Sequence, residues 1–118
     1  MRKITAALAL AGILSVGVAT PAFSGERPER SEVVTGTAAR VRIVDFAFRP
    51  RRIEVPRGTR VTWKNRGGVG HTTTSRTGLW DSGTLAPGDT FSRVFRSRGT
   101  FRYACSIHPD MRGKVVVT

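Results

Sequence analysis

The sequence has little of the two residue types that most often carry metal or redox chemistry. It contains one cysteine, Cys105, and two histidines, His71 and His108, among 118 residues. A single cysteine excludes an internal disulfide and also a binuclear metal centre bridged by two thiolates. Two histidines are also too few for two histidine-ligated metal centres, or for one such centre with an open catalytic position. We therefore expect that the chain is not an enzyme.

Acidic residues are also scarce. Eight acidic residues stand against twenty basic ones, which gives a formal net charge of +12. Such a charge favours attraction to acidic proteins or surfaces, although a merely solvated basic face is the alternative. The arginines are scattered through strand-like segments and form no block with interleaved aromatics, so nucleic-acid binding is not expected.

Only one long apolar run occurs, over residues 4–19. It follows Met1-Arg-Lys3 and precedes small residues that end at Ser24, a pattern that predicts a signal peptide over residues 1–24. The run is shorter than the roughly 20 residues of a membrane span, so an uncleaved anchor is the less favoured alternative. No cysteine or arginine pair marks the leader as a lipoprotein or twin-arginine signal. We expect export in the unfolded state, to the periplasm or the outside of the cell.

The pattern changes at Thr37. Residues 25–36 are polar with alternating charge, which predicts a flexible N-terminal extension. Residues 37–118 alternate apolar and polar positions between Gly and Pro turns that recur roughly every 8 to 12 residues, with no helical period. This predicts one all-β domain, a sandwich of about 7–8 strands. Its first strand is expected to run without a break through Phe46 to Pro50.

A cluster of soft donor atoms lies near the C-terminus. Cys105, His108 and Met111 recur at every third position, and His71 stands alone after the glycine-rich segment 66–70. A set of two histidines, one thiolate and a weak axial thioether is typical of blue-copper electron-transfer sites. Zinc, the main rival metal, rarely uses methionine and would leave Met111 without a role. A lone thiol in an oxidising compartment also needs burial or ligation.

Four segments together resemble the cupredoxins, the small blue (type 1) copper proteins, and among them the plastocyanin, pseudoazurin and amicyanin group. The short spacing between His108 and Met111 is similar to that of amicyanins. The resemblance implies a Greek-key β-sandwich and one type 1 copper ion held by His71, Cys105, His108 and Met111. The segments that carry it are 53–65, 71–72, 81–88 and 99–111.

The resemblance also implies roles for residues around the ligands. The Thr72 N–H is expected to bind the cysteine sulfur, and Asn65 to brace the ligand loop through Ser106. Ile107 stands where several relatives have proline, so its N–H is expected to give the thiolate a second hydrogen bond and raise the reduction potential. Many relatives carry an acidic residue at the place of Gly67, which here predicts a looser approach to His71.

The function implied is that of a monomeric one-electron carrier that cycles between Cu(I) and Cu(II). His108 is the expected electron port, and Val69, Ile107 and Pro109 the surrounding docking patch for a redox protein partner of acidic character. The alternative is a protein for copper delivery, buffering or resistance. Delivery proteins usually expose exchangeable methionine or histidine clusters, and the sequence has none beyond the four ligands.

Overall fold

The structure is a computed structural model that describes residues 30–118, and within them it consists of strands, turns and loops. No helix in this part of the chain has the length and apolar character needed to cross a membrane. The predicted signal peptide and residues 25–29 of the predicted extension lie outside the described residues. The strands are β1 Ser31–Val33, β2 Ala38–Val44, β3 Ala47–Arg49, β4 Arg52–Val55, β5 Thr59–Asn65, β6 Thr74–Ser75, β7 Thr90–Phe95, β8 Gly99–Ala104 and β9 Arg112–Val117.

The strands form two sheets that pack face to face. One has the order β1-β4-β9-β8-β6 and the other β3-β2-β5-β7. Both sheets are mixed, because β2 pairs with β5 in parallel and β4 pairs with β9 in parallel. The prediction of an all-β sandwich is confirmed, with nine strands in residues 30–118 in place of about 7–8.

The core lies between the two sheets and is rich in aromatic rings. Alternate residues of β2 and β5 are buried, as period-two strands with one apolar face require. Trp63 is fully buried at the centre, with ring centroids of Trp80, Phe95 and Tyr103 between 5.3 and 6.3 Å away. This packed layer fixes the ends of the strands that carry the candidate site.

The N-terminal extension departs from its prediction. Ser31–Val33 forms β1, which pairs in parallel with β4 at the edge of the larger sheet. The side chains of β1 are exposed, so the pairing depends mainly on backbone hydrogen bonds, which a polar sequence does not reveal, and one side-chain bond from Arg52 to Ser31 Oγ adds to them. The sandwich therefore begins before Thr37.

The first strand of the domain is also shorter than predicted. β2 and β3 form an antiparallel hairpin in which Val44 pairs with Ala47, so the chain reverses at Asp45 and Phe46. The expectation of one continuous strand was wrong: the turn has neither glycine nor proline, and Asp45, a residue type that also favours turns, was the one local signal of it. The reversal leaves Phe46 59% exposed at the end of the sandwich.

Candidate metal centre

The loop that joins β8 to β9 carries three of the four predicted ligands. Backbone hydrogen bonds close it, from the Cys105 N–H to the Met111 carbonyl at 3.0 Å and from the Met111 N–H to the His108 carbonyl at 2.9 Å. Because β8 and β9 are antiparallel neighbours, the chain reverses within this loop. Cys105 and Met111 are buried, and His108 is partly exposed.

His71 reaches the same end of the sandwich from a separate segment. Its backbone pairs with Leu85, with N···O distances of 3.1 and 2.7 Å. The buried Asn65 side chain donates to the carbonyls of Val69 and Leu85 at 2.9 and 2.8 Å and accepts from the Gly67 N–H. Asn65 thus fixes the glycine-rich segment before His71 to the backbone of Leu85, and these contacts do not reach the ligand loop that it was predicted to brace.

Three of the predicted donor atoms converge on one point. One atom each from His71, Cys105 and His108 lies within 4.8 Å of the others. The Cys105 sulfur is 3.9 Å from His71 Nδ1 and 3.6 Å from His108 Nδ1. Met111 is buried in the same loop. His71 therefore meets the loop between β8 and β9, the ligand loop, although 34 positions separate His71 from Cys105.

The surroundings of the Cys105 sulfur favour the thiolate. Burial raises the pKa of the Cys105 thiol, but N–H groups outweigh it and bring the pKa to about 6. The largest of these opposing effects is the Thr72 N–H, which donates to the sulfur at 3.4 Å, followed by the His108 N–H, the His71 side chain and then the Ile107 N–H. The thiolate is the form that binds metals, so the site presents its sulfur ready for ligation.

A second contact links the two ligand-bearing segments. Thr72 Oγ1 accepts a hydrogen bond from the Ser106 N–H at 2.8 Å and also contacts Ser106 Oγ at 3.1 Å. The expected link between Ser106 and Asn65 is replaced by this one with Thr72. Asn65 donates both of its side-chain N–H groups to backbone carbonyls around His71, and Ser106 is bonded to the threonine instead.

The carboxylate of Asp45 was missed by the sequence analysis. Its Oδ1 lies 2.6 Å from His71 Nε2, and its Oδ2 accepts from the Gly68 N–H at 2.8 Å. The Gly68 N–H, followed by the His71 side chain, holds the pKa of Asp45 below its ordinary value. Asp45 occupies the space beside Gly67, so the expectation of a looser approach to His71 was wrong.

Phe46 was also missed, because the sequence placed it inside a strand. Its ring lies edge-on to both imidazoles, with centroids 5.0 Å from His108 and 5.8 Å from His71. Val69 and Ile107 are 43% and 47% exposed near the same end. The surface around His108 therefore has an aromatic member that the predicted docking patch lacked.

The donor set fits copper. It offers a thiolate and two imidazole nitrogens within reach of one ion, and a thioether follows in the same loop. This combination matches the His₂Cys arrangement with a weak axial methionine better than it matches the sites of harder metals. No other group of three or more His, Cys, Asp or Glu side chains in residues 30–118 could hold a metal in this way.

Comparisons with known proteins agree with this geometry. The family model for cupredoxin-like domains matches residues 8–117. Amicyanin-alpha of Methylorubrum extorquens is 30% identical over 116 residues, which cover 94% of this chain and 98% of that protein. The amicyanin of Paracoccus denitrificans is also 30% identical, over 99% of this chain and 95% of its own length.

A solved structure shares the architecture. A purple cupredoxin from Nitrosopumilus maritimus superimposes with a TM-score of 0.64 at 34% identity. The superposition covers 68% of this chain and 99% of the purple cupredoxin. The similarity therefore extends through the sandwich as well as the sequence.

Proposed function

Because the chain belongs to the cupredoxin-like family, we propose that it is a mononuclear blue copper protein that carries single electrons between redox partners. The family resemblance seen in the sequence is confirmed by this assignment. The observation that carries the function is the convergence of His71, Cys105 and His108 beside Met111. Copper bound there supplies a one-electron couple between Cu(I) and Cu(II).

The protein's part in electron transfer is to hold the ligands still. Asn65 fixes the segment before His71, and the contacts between Thr72 and Ser106 fix the residue after His71 to the ligand loop. Both lie on a packed sandwich whose interior resists deformation. Ligands held in this way move little between oxidation states, which keeps the barrier to electron transfer low.

We propose that electrons enter and leave at the partly exposed His108. Phe46 packs against its ring, and Val69, Ile107 and Pro109 are exposed nearby. An apolar patch around the exposed edge of the His108 imidazole allows a partner to approach closely, because no charged side chains in the patch have to be desolvated. Contacts of this limited kind suit brief encounters between redox proteins.

We propose further that the partner presents an acidic surface. A cleft of about 620 Å³, which lies along the larger sheet and beside β3 of the smaller one, has no acidic residue in its lining. Arg102 and Lys114 are directly opposite each other on β8 and β9, and Lys114 is opposite Arg52 on β4. The basic residues of the lining are Arg30, Arg49, Arg51, Arg52, Arg76, Arg102, Arg112 and Lys114.

This basic cleft is close to the electron port. The Arg112 Nε–H donates to the Pro109 carbonyl at 3.5 Å, so its guanidinium lies against the ligand loop. A field of one sign beside the port increases the rate of encounter with oppositely charged partners. The same charges give no reason for self-association, and we propose that the carrier acts as a monomer.

Copper delivery or buffering is the second candidate, and an absorption experiment separates the two. We expect the mature protein to turn intensely blue on addition of Cu(II) and to be reduced and reoxidised reversibly by one electron. The buried His71, Cys105 and Met111 favour this outcome, because ligands shielded from water exchange their metal slowly. A colourless protein that gives up Cu(I) readily to a chelator would support delivery instead.

An enzymatic role is less well supported than the carrier role. Both histidines of the chain belong to the donor cluster, so none is left for a second copper centre. We also propose that the protein works outside the cytoplasm, as the charged and apolar N-terminal segment predicts. N-terminal sequencing of the exported protein tests this, and we expect the mature chain to begin near Gly25 and to carry no membrane anchor.

A further inference from the structure

The two ring nitrogens of His71 face different partners. Nδ1 is the nitrogen 3.9 Å from the Cys105 sulfur, and Nε2 is the one 2.6 Å from Asp45 Oδ1. The imidazole is fully buried, so neither nitrogen can turn to water. A neutral imidazole has one N–H and one lone pair. A carboxylate at Nε2 fixes the N–H there and leaves the lone pair on Nδ1.

We propose that Asp45 is a positioning residue for the copper site: it fixes the tautomer and orientation of His71 and makes His71 a stronger donor. This inference rests on the proposed copper-binding function. A carboxylate that accepts a hydrogen bond from a ligating imidazole increases the basicity of the other nitrogen. The added electron density stabilises Cu(II) more than Cu(I), so Asp45 lowers the reduction potential.

Asp45 is itself held in place. The turn between β2 and β3 carries it, and the Gly68 N–H donates to Oδ2 at 2.8 Å while Oδ1 faces His71. The carboxylate therefore joins the β2–β3 turn to the glycine-rich segment. Since it is anchored at both oxygens, the position of the imidazole follows from that of the turn.

The absence of a side chain at Gly67 makes the contact between Asp45 and His71 possible. A Cβ at this position would overlap Asp45 Oδ1 and lie 2.9 Å from Asp45 Cγ. Position 67 is where the resemblance implies an acidic residue in many relatives. In this chain the carboxylate comes from a different loop, 26 positions from His71, and the glycine leaves room for it.

The first experiment removes the carboxylate and measures copper affinity in both oxidation states. We expect Asp45→Ala to weaken Cu(II) binding about 10- to 100-fold, to weaken Cu(I) binding less, and so to raise the reduction potential. Asp45→Asn keeps an oxygen acceptor without the charge and is expected to show a smaller change in the same direction. Asp110→Asn removes the same charge from an exposed position in the ligand loop and serves as the matched control.

A second route leaves Asp45 unchanged. Gly67→Ala places a methyl group where the carboxylate lies, so we expect it to shift the ratio of Cu(II) to Cu(I) affinity in the same direction as Asp45→Ala. Gly68→Ala is the control, because its Cβ would be in ordinary contact with Asp45 Oδ2 at 3.5 Å. The double variant Asp45→Ala/Gly67→Glu supplies a carboxylate from the other loop and is expected to recover most of the lost Cu(II) affinity.

A measurement without metal separates this inference from the proposed function. In the apo protein, at a pH where His71 is neutral, ¹⁵N NMR should show a single tautomer with the proton on Nε2. The same spectrum of Asp45→Ala should show a mixture. Failure of the wild-type protein to form a blue copper site would overturn the proposed function, whatever the NMR result.

The positioning role of Asp45 is overturned by either of two results. One is an unchanged ratio of Cu(II) to Cu(I) affinity in both Asp45→Asn and Gly67→Ala. The other is an apo tautomer that does not respond to Asp45→Ala. If Asp45→Ala does not fold, the Asn and Gly67 variants and the NMR spectrum of Asp45→Asn carry the test.

Discussion

The sulfur of Cys105 is surrounded by N–H groups from two segments of the chain. Thr72 contributes from the His71 segment, and His108 and Ile107 contribute from the ligand loop, and all three lower the pKa of the thiol. An N–H directed at a thiolate stabilises its negative charge and makes it a weaker donor to Cu(II). Each of these groups should therefore raise the reduction potential of the bound copper.

The contribution of Ile107 can be removed without removing a ligand. Ile107→Pro deletes the N–H, and we expect the reduction potential to fall by roughly 40 mV, which corresponds to about 1 kcal/mol for a one-electron couple. Ile107→Ala keeps the N–H and is the control for loss of the exposed side chain. Voltammetry of the two variants checks this, and a potential for Ile107→Pro that is unchanged or higher contradicts it.

The hydroxyl of Tyr103 is another residue-scale feature with a measurable effect. The side chain is fully buried, and its oxygen makes no hydrogen bond of ordinary geometry within residues 30–118. Burial raises the pKa of Tyr103, and the smaller effect of the nearby Trp63 side chain is in the opposite direction. The folded protein therefore favours the neutral phenol more strongly than the unfolded chain does.

We expect Tyr103→Phe to leave the free energy of unfolding at neutral pH unchanged or to increase it by up to about 1 kcal/mol, because no partner is lost. A raised pKa stabilises the folded state at pH values below the unfolded pKa of about 10, and this stabilisation disappears as the pH rises above it. The variant should therefore lose less stability between neutral and strongly alkaline pH. Urea unfolding of the apo protein at both pH values measures this. A loss of more than about 1 kcal/mol at neutral pH would show that the hydroxyl has a partner.

At the scale of strands, the packing between β8 and β9 bears most directly on the site, because the ligand loop joins these two strands. Tyr103 pairs with Gly113 across these strands. A Cβ at Gly113 would lie 2.5 Å from both the Tyr103 oxygen and the ring carbon that bears it. The glycine thus lets the tyrosine ring pack under the strand that follows Met111.

Gly113→Ala is expected to reduce the free energy of unfolding by about 1–3 kcal/mol, since the ring or β9 must move. Gly36→Ala is a suitable control, because no atom lies within 4 Å of the added Cβ. Thermal unfolding of the two apo proteins compares them. Equal stability of both variants would show that the tyrosine adapts without strain.

The sequence predicted the elements that depend on local patterns and missed those that depend on distant contacts. Alternation identified β2 and β5, and donor spacing identified the ligand loop. β1 was missed because its side chains are exposed and its pairing with β4 is mainly through the backbone, with one added side-chain bond from Arg52 to Ser31. Asp45 was missed because its contact with His71 spans 26 positions and follows from a turn without glycine or proline.

At the scale of the whole molecule, the positive charge is arranged in relation to the port. The cleft on the larger sheet collects basic side chains from β4, β8 and β9, and Arg112 connects it to the ligand loop. Arg57 lies in the turn before β5, at the opposite end of that strand from Asn65. Substitution of an arginine in the cleft can therefore be compared with substitution of Arg57, which is far from the port.

We expect Arg102→Glu to slow electron transfer to an acidic partner several-fold, up to about 10-fold, at low ionic strength. The difference from wild type should shrink as salt rises above 0.1 M, where charges more than about 10 Å apart are screened. Arg57→Glu makes the same change in net charge far from the port and should have a smaller effect. Stopped-flow measurements at several salt concentrations test this, and equal effects of the two variants would contradict docking at the cleft.

The contact between Asp45 and the space at Gly67 restricts how this site can change over generations. A side chain at position 67 is incompatible with the carboxylate of Asp45. An acidic residue therefore cannot be added at position 67 while Asp45 keeps its present position. A lineage that transferred the acid from one loop to the other would have passed through a stage with a weakened copper site or with a compensating change. We therefore expect positions 45 and 67 to covary among homologues of this chain, with an acidic residue at one of them and a small residue at the other.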